Sequence, residues 1–240
     1  MKIQPITKAV RKLLPLAYCG AVIVAAGNAS RMGGIDKVLA PLCGKPLITR
    51  TVEAFQNCDA IREIVVVVRE DQQAVVTGLC AGFDKVTAVV AGGKDRPDSV
   101  EAGMKAMSKK VKLVAIQDGA RPLVSCQVID RTVRAAHTYG AAAPAIPVKD
   151  TVKIVKGGVV AETPDRKTLQ AVQTPQVFDY DLLCAALQKA KKDGITITDD
   201  CSAVEYMGMS VKIVEGDERN IKVTTPTDLK IAQLLMEETK

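Results

Sequence analysis

The sequence predicts an α/β fold in which a mostly parallel β-sheet is flanked by helices. Short apolar segments rich in Val and Ile alternate along the chain with segments of helical period, as in repeated βαβ units. In addition, 48% of the 240 residues are hydrophobic but only 3% are aromatic. A core of small aliphatic side chains is typical of a buried parallel sheet with helices on both faces.

Strands and helices alternate over the first 147 residues. Strands are predicted at 18–26, 61–68, 85–91, 111–117 and 140–147. Helices are predicted between them at 46–57, 71–79, 98–107 and 125–139. Asp98 and Ser125 have side chains that cap helix N-termini, so we expect the third and fourth helices to start there.

The alternation changes after residue 147. Two segments rich in Val and Ile, 151–155 and 159–163, flank Lys156-Gly157-Gly158, which predicts a β-hairpin. No helical segment is available to cover its apolar side chains, so we expect a projecting arm, at about residues 149–172, that pairs two subunits. A helix at 181–191, a strand at 211–214 and a closing helix from Pro226 complete a single domain over residues 18–240.

Residues 1–17 are predicted to be an N-terminal extension. Basic residues followed by an apolar stretch resemble a secretion signal, but Pro15 interrupts the stretch, which then runs on into the first predicted strand. The seven Cys residues include no C-x-x-C pair, which argues against a zinc site or a disulfide framework. We therefore expect a cytoplasmic protein that does not enter a membrane.

The net charge of +6 is spread along the chain, with no run of five basic residues. Nucleic-acid surfaces that stack bases need aromatic side chains, which are scarce here. The positive charge therefore favours small anionic substrates over nucleic acids.

A loop of small residues and cations follows the first predicted strand. Ala25, Ala26 and Gly27 come directly after it, and Arg31 and Lys37 follow. Ligands of such sheets bind beyond the carboxyl ends of the strands, where the backbone N–H groups of small-residue loops hold anions. The loop is not a Walker A motif, because no Lys follows Gly33 or Gly34, and it is not a dinucleotide motif, because Ala29 stands where the second glycine belongs. We interpret it as a polyphosphate site of another kind.

Three further charged clusters follow predicted strands, at residues 92–96, 118–122 and 149–151. All four are expected at one edge of the sheet, which favours a polyanion site. His137 is the single histidine and falls near the end of a predicted helix, which argues against a catalytic triad or a histidine-rich metal site. Cys201, near two acidic residues but no base, is predicted to be a packing residue.

Taken together and in order, several motifs resemble the 2-C-methyl-D-erythritol 4-phosphate cytidylyltransferases of the non-mevalonate isoprenoid pathway. These motifs are residues 25–37, 92–99, 118–122, 150–151, 174–176, 198–199 and 220–224. The resemblance begins at residue 21 and reaches the C-terminus. Ribitol-5-phosphate cytidylyltransferases share most of these motifs and are one alternative. A non-catalytic nucleotide-binding protein on the same fold is another.

The resemblance implies a fold of the nucleotidyltransferase or glycosyltransferase-A kind and a Mg²⁺-dependent transferase that uses CTP. CMP would pass to 2-C-methyl-D-erythritol 4-phosphate, giving 4-diphosphocytidyl-2-C-methyl-D-erythritol and pyrophosphate. The substrate phosphate would attack the α-phosphate of CTP in line. The family's arm residues reach across a dimer interface, which implies a homodimer.

The resemblance also implies a role for particular residues. The catalytic cations would be Arg31, Lys37 and Lys222. Nucleotide binding would fall to Ala25, Ala26, Gly27, Gly92, Arg96, Ser99 and Asp118, with Asp118 also close to Mg²⁺. The sugar phosphate would be held by Arg121, Thr151, Arg166 and Thr198, with Arg166 acting in the neighbouring subunit's site.

Overall fold

The computed structural model describes residues 11–27 and 38–238. Its strands and helices, in chain order, are β1 (Cys19–Val24), β2 (Pro41–Leu42), β3 (Lys45–Pro46), α1 (Leu47–Gln56), β4 (Glu63–Val68), α2 (Gln73–Cys80), β5 (Val86–Ala91), α3 (Arg96–Lys105), β6 (Leu113–Asp118), α4 (Cys126–Tyr139), β7 (Ala141–Pro147), β8 (Ile154–Lys156), β9 (Val159–Glu162), β10 (Gln170–Val172), β11 (Gln176–Asp179), α5 (Tyr180–Lys192), α6 (Asp200–Tyr206), β12 (Lys212–Glu215) and α7 (Pro226–Glu237). Short 3₁₀ turns lie at Glu70–Gln72 and Arg166–Thr168.

An eight-stranded sheet forms the centre of the molecule, with strand order β10-β7-β11-β6-β1-β4-β5 and β12 paired to β7. β1 runs parallel to β4 and β6, and β4 runs parallel to β5. β11 runs antiparallel to both of its neighbours, β6 and β7. The predicted mostly parallel α/β fold is therefore confirmed.

Helices cover both faces of the sheet, because successive side chains of a strand point to opposite faces. Ala21 and Ile23 of β1 pack with residues of α1, α2 and α4. Val22, on the opposite face, packs with residues of α3, α5 and α6. Cys201 of α6 belongs to this second cluster, so its predicted packing role is confirmed.

The five predicted strands and four predicted helices of the first 147 residues are all present, with ends that differ by a few residues. Ser125 caps α4 as predicted, since its hydroxyl accepts a hydrogen bond from the Val128 N–H. The prediction that Asp98 caps α3 was wrong. Asp95 caps α3 instead. Because proline is accommodated in the first turn of a helix, Pro97 lies inside α3, and the helix begins at Arg96, before the predicted position.

Sequence reasoning missed several short elements, namely β2, β3, β10, β11 and α6. Strands β10 and β11 have three and four residues and are separated by a segment that contains Pro175. Runs this short carry too little periodicity to be distinguished from a loop.

The predicted β-hairpin is formed by β8 and β9, which pair antiparallel as a separate two-stranded sheet. Gly157 and Gly158 make the turn with φ angles of 57° and 81°, a region that favours glycine. Every residue of both strands is exposed. That this hairpin acts as an arm between subunits stays a prediction, as do the single domain over 18–240 and the extension at 1–17.

Among the described residues, no helix is both long and apolar enough to span a bilayer.

Candidate active site

A cleft of about 230 Å³ opens at the edge of the sheet where β1, β5 and β6 end. Its lining includes Ala25, Ala26 and Gly27 after β1, residues 93–96 after β5, and Asp118 at the end of β6. Lys222, from the loop before α7, completes it. Three of the four predicted charged clusters thus contribute to one cavity.

Small residues form the wall of the cleft because the loops after β1 and β5 approach each other closely. The Ala25 N–H donates to the Val67 carbonyl at 2.7 Å, and the Gly92 N–H donates to the Val68 carbonyl at 2.8 Å. A Cβ at Gly92 would lie 2.4 Å from the Cβ of Ala26, closer than any real contact. Gly92 is therefore needed for the loops to meet, although it is not among the lining residues itself.

Ser99 shapes the loop after β5 from inside α3. Its buried hydroxyl donates to the Asp95 carbonyl at 2.8 Å and accepts from the Gly93 N–H at 3.1 Å. The Asp95 side chain in turn accepts from the Asp98 N–H at 2.9 Å, which caps the helix. These bonds hold residues 93–95 in one conformation at the mouth of the cleft.

Three cations surround the carboxylate of Asp118. Lys222 Nζ lies 2.8 Å from it, Arg121 Nε 3.5 Å and Arg96 Nη2 3.8 Å. Burial disfavours ionisation of Asp118, but the three cations outweigh it and hold the pKa of this carboxyl below its usual range. Burial also lowers the pKa of the Arg121 guanidinium, an effect that Asp118 partly offsets. Asp118 is therefore ionised at neutral pH and holds these cations together. Arg96 and Lys222 line the cleft beside it, whereas Arg121 does not.

Arg96 has a second acidic partner, the fully buried Asp200, at 2.8 Å from Nη2. Burial acts to lower the pKa of Arg96, but Asp200 and Asp118 outweigh it and raise that pKa overall. Burial raises the pKa of the Asp200 carboxyl, and repulsion from Asp118 adds to this against the attraction of Arg96. The Asp200 carboxylate lies behind Arg96 and does not itself line the cleft.

Hydrogen bonds tie the loop that carries Lys222 to the end of β6. The Val223 N–H donates to the Ala120 carbonyl at 2.8 Å. The Asn220 side chain, which is fully buried, donates to the Thr174 carbonyl at 2.9 Å, and Arg121 donates to the Asn220 carbonyl at 2.6 Å. These contacts place Lys222 beside Asp118 although the two residues are far apart in the chain.

Several predicted site residues are not among those that line the cleft in the part of the chain that the structure describes. Arg31 and Lys37 lie outside the described residues. Thr151, Arg166 and Thr198 are exposed and do not line the cavity. Arg166 donates to the Lys149 carbonyl at 2.7 Å, and Lys149 pairs with Glu218 at 2.6 Å.

Residues 149–151 therefore do not line the cleft that the described residues of one chain form, and the expectation that all four charged clusters meet there was wrong in this respect. After β7 the chain turns outward into the β8–β9 hairpin.

Sequence reasoning missed two contributors to the site, Asp200 and the side chain of Asn220. Asp200 was visible only as part of an acidic pair before a helix, a pattern that usually marks a cap. Asn220 belonged to a recognised motif, but its buried contacts with residues before β11 could not be read from the chain.

A family model described as 2-C-methyl-D-erythritol 4-phosphate cytidylyltransferase matches residues 19–238. A relative of that name from Caldanaerobacter subterraneus subsp. tengcongensis is 43% identical over 221 residues, which cover 90% of this chain and 97% of the relative. One from Desulforamulus reducens is 44% identical over 221 residues, covering 90% and 94%.

Solved structures of proteins described by this activity are also similar to this chain. The crystal structure of 4-diphosphocytidyl-2C-methyl-D-erythritol synthase from Anaerococcus prevotii has a TM-score of 0.84 and 29% identity, and covers 92% of this chain and 96% of that one. The 2-C-methyl-D-erythritol 4-phosphate cytidylyltransferase from Thermus thermophilus has a TM-score of 0.76 and 31% identity, covering 92% and 99%.

Proposed function

The chain belongs to the 2-C-methyl-D-erythritol 4-phosphate cytidylyltransferase family, and we propose that the cleft around Asp118 is where its reaction takes place. The enzyme transfers CMP from CTP to 2-C-methyl-D-erythritol 4-phosphate, giving 4-diphosphocytidyl-2-C-methyl-D-erythritol and pyrophosphate. The ribitol 5-phosphate and non-catalytic alternatives are not favoured, since relatives at 43% and 44% identity bear the methylerythritol name. The observation that carries the site assignment is that Asp118, Arg96 and Lys222 line one cleft, with Arg121 as a further cation beside the Asp118 carboxylate.

The chemistry requires cations rather than a general base. A phosphate monoester has a second pKa of about 6, so its attacking oxygen is largely deprotonated at neutral pH. His137, the one histidine of the chain, lies in the last turn of α4 and does not line the cleft. Two anions must instead be held in line while negative charge grows around the α-phosphorus. We assign this work to Lys222 together with Arg31 and Lys37.

The nucleotide half of the cleft is formed by the loops after β1 and β5. The backbone N–H groups of Ala26 and Gly27 are expected to bind the triphosphate, because no side chain larger than a methyl group obstructs them. The Ala25 N–H is already donated to the Val67 carbonyl, so Ala25 contributes by its small size. We assign Arg96 and Ser99, which line the cleft, to the base and ribose side, with Gly92 allowing the two loops to approach.

The implied Mg²⁺ fits the donor set at Asp118. Mg²⁺ prefers oxygen ligands and is commonly held by one or two carboxylates plus substrate phosphates. The Asp118 side chain lines the cleft and is ionised, whereas the Asp95 side chain is committed to capping α3. When bound, the metal neutralises phosphate charge during transfer. Asp118 would hold it while Lys222, Arg96 and Arg121 keep that carboxylate in place.

The acceptor phosphate is assigned to Arg121, Thr151, Arg166 and Thr198. Arg121 lies beside Asp118, but Thr151 and Arg166 flank the exposed hairpin. A homodimer in which the hairpin crosses to the neighbouring subunit would bring Arg166 to that subunit's cleft. The exposed Val155, Val159 and Val160 supply the apolar surface for such pairing. A cytoplasmic location fits the scattered cysteines.

The test is pyrophosphate release from CTP and Mg²⁺, with 2-C-methyl-D-erythritol 4-phosphate and ribitol 5-phosphate offered in parallel. We expect strong preference for the first acceptor. Arg31→Ala and Lys37→Ala should each lower turnover at least about a hundredfold, because each would remove a donor to the transition state. Preference for ribitol 5-phosphate would overturn the substrate assignment, and near-normal turnover in both variants would overturn the catalytic roles.

A further inference from the structure

Asp200 is a buried charge that the proposed mechanism does not use. Asp200 is fully buried. It is the first residue of α6, which packs on the same face of the sheet as α3 and α5. Removing a carboxylate from water is costly unless a cation compensates it. The compensating cation is Arg96, which reaches from the first residue of α3 into the cleft wall.

The position of Asp200 is fixed from the centre of the sheet. The N–H groups of Asp200 and Cys201 both donate to the side-chain oxygen of Gln176 at 3.1 Å. The amide nitrogen of Gln176, a buried residue of β11, donates to Asp199 at 2.7 Å. Because β11 lies between β6 and β7, the start of α6 is tied to the rigid core of the molecule.

Arg96 depends on Asp200 for its orientation more than on Asp118. The Nη2 atom lies 2.8 Å from Asp200 but 3.8 Å from Asp118, a distance too long for a hydrogen bond. Asp118 is moreover engaged with Lys222 at 2.8 Å. Without the Asp200 charge, Arg96 would be free to turn toward Asp118 or toward the phosphates.

We propose that Asp200 is a positioning residue that holds the Arg96 guanidinium at the nucleoside side of the cleft, and so sets the affinity for CTP. The inference rests on the proposed function, since it takes Arg96 to contact the nucleotide. Asp200 touches neither substrate. Its loss should therefore weaken CTP binding and leave the transfer step and the acceptor site largely intact.

The test is Asp200→Asn, which keeps the size of the side chain and removes its charge. We expect the KM for CTP to rise about tenfold, which is the effect of losing one hydrogen bond between the Arg96 guanidinium and the nucleotide. The kcat and the KM for the acceptor should change by less than about twofold. Asp98→Asn is the matched control, because Asp98 is on α3, the helix that carries Arg96, and pairs at the surface with Lys191 at 2.7 Å. It should leave all three parameters unchanged.

A double-mutant cycle shows whether Asp200 acts through Arg96. In an Arg96→Ala background, Asp200→Asn should change the KM for CTP by less than about twofold, since the group it positions is gone. A further tenfold rise in that background would overturn the proposal. So would an unchanged KM for CTP in the single variant, or an equal rise in the KM values for both substrates.

Binding measurements separate this inference from the proposed function. If the wild-type protein transferred CMP to no acceptor, the proposed function would fail, and the dissociation constants of CTP for wild type and Asp200→Asn would still test the role of Asp200. If Asp200→Asn did not fold, a crystal structure of the wild type with CTP would decide. Arg96 should contact both Asp200 and the nucleotide, and an Arg96 that had left Asp200 would overturn the proposal.

Discussion

Asp118 is the residue around which the charges of the site are arranged. Three cationic side chains lie within 4 Å of its carboxylate, and one of them also pairs with Asp200, so the described cluster has a surplus of one cationic over acidic side chains. Arg31 and Lys37 would add to this surplus. A cleft with low-dielectric walls and an excess of one sign of charge attracts ions of the opposite sign. The site is thus suited to bring two phosphate-bearing substrates together.

Lys222→Gln should lower turnover at least about a hundredfold, because a preorganised cation stabilises charge that develops in the transition state. The thermal midpoint should change little, since the side chain is 44% exposed and is not packed in the core. The measurement is steady-state pyrophosphate release. Lys230→Gln, an exposed lysine on α7, is the control and should behave as wild type. Retained turnover in Lys222→Gln would remove Lys222 from the catalytic set.

At the scale of residues, those that follow strands could be predicted from the sequence. Arg96 and Asp118 come just after apolar segments, and the topology of an α/β sheet brings such residues together. Asp200 could not be predicted, because its burial and its contact with Arg96 depend on how α6 packs on the sheet. Arg166 could be given a role only by family resemblance, and its contact across a dimer stays a prediction.

At the scale of elements, α3 lies close to the sheet because it has a glycine at the contact. A Cβ at Gly103 would lie 2.4 Å from Val22 Cγ1 and 2.8 Å from Val67 Cγ2. Helix α3 carries Arg96 at its first residue, so this packing also sets the depth of the cleft wall.

Gly103→Ala should lower the free energy of unfolding by about 1–3 kcal/mol, because the added methyl group overpacks the interface of α3 with β1 and β4. Gly78→Ala in α2 is the matched control, since its added Cβ would meet no atom within 4 Å apart from its chain neighbours and the backbone of its own helix. It should raise stability by up to about 1 kcal/mol through higher helix propensity. Denaturant unfolding measures both, and equal effects would contradict the packing argument.

The start of α7 is a capping box that also holds the end of the Lys222 loop. Asp228 accepts hydrogen bonds from the N–H groups of Thr224 and Thr225 at 2.8 Å each. Partial burial opposes its ionisation, but these bonds outweigh it and lower the pKa of Asp228 below the ordinary 3.8. A carboxyl with a lowered pKa stabilises the fold above its unfolded pKa. That stabilisation is lost as the pH falls through the folded value.

Asp228→Ala should therefore cost about 1 kcal/mol of stability at pH 7, the usual value of a lost cap. The difference from wild type should shrink once the pH falls below the ordinary pKa of 3.8 and Asp228 becomes protonated in the wild type. Urea unfolding across this range checks both points. Glu237→Ala, at the exposed far end of α7, is not expected to reduce stability. A difference that did not depend on pH would contradict the role of the ionised carboxylate.

At the scale of the whole molecule, the proposed dimer makes each cleft depend on two chains. Arg166→Ala should raise the KM for the acceptor far more than that for CTP, since Arg166 is assigned to the acceptor phosphate. A mixture of the Arg166→Ala and Lys222→Gln proteins should recover about a quarter of wild-type activity. Half of the dimers would be hybrids, and in each hybrid one of the two clefts would have both Lys222 and Arg166 intact. Hybrid formation is verified by native mass spectrometry. Hybrids without recovered activity would show that Arg166 serves its own chain.

The insertion of β11 between β6 and β7 has a consequence for a chain cut at the exposed Gly157-Gly158 turn. The cut would leave β6 and β7 on one fragment and β10, β11 and β12 on the other. Because β11 is flanked on both sides by strands of the first fragment, the two pieces are interleaved and should stay associated after the nick. The first fragment would retain Arg96 and Asp118, and the second Asp200 and Lys222. Neither piece alone would hold a complete set of charges, and mixing separately made pieces should reconstitute the enzyme by strand complementation.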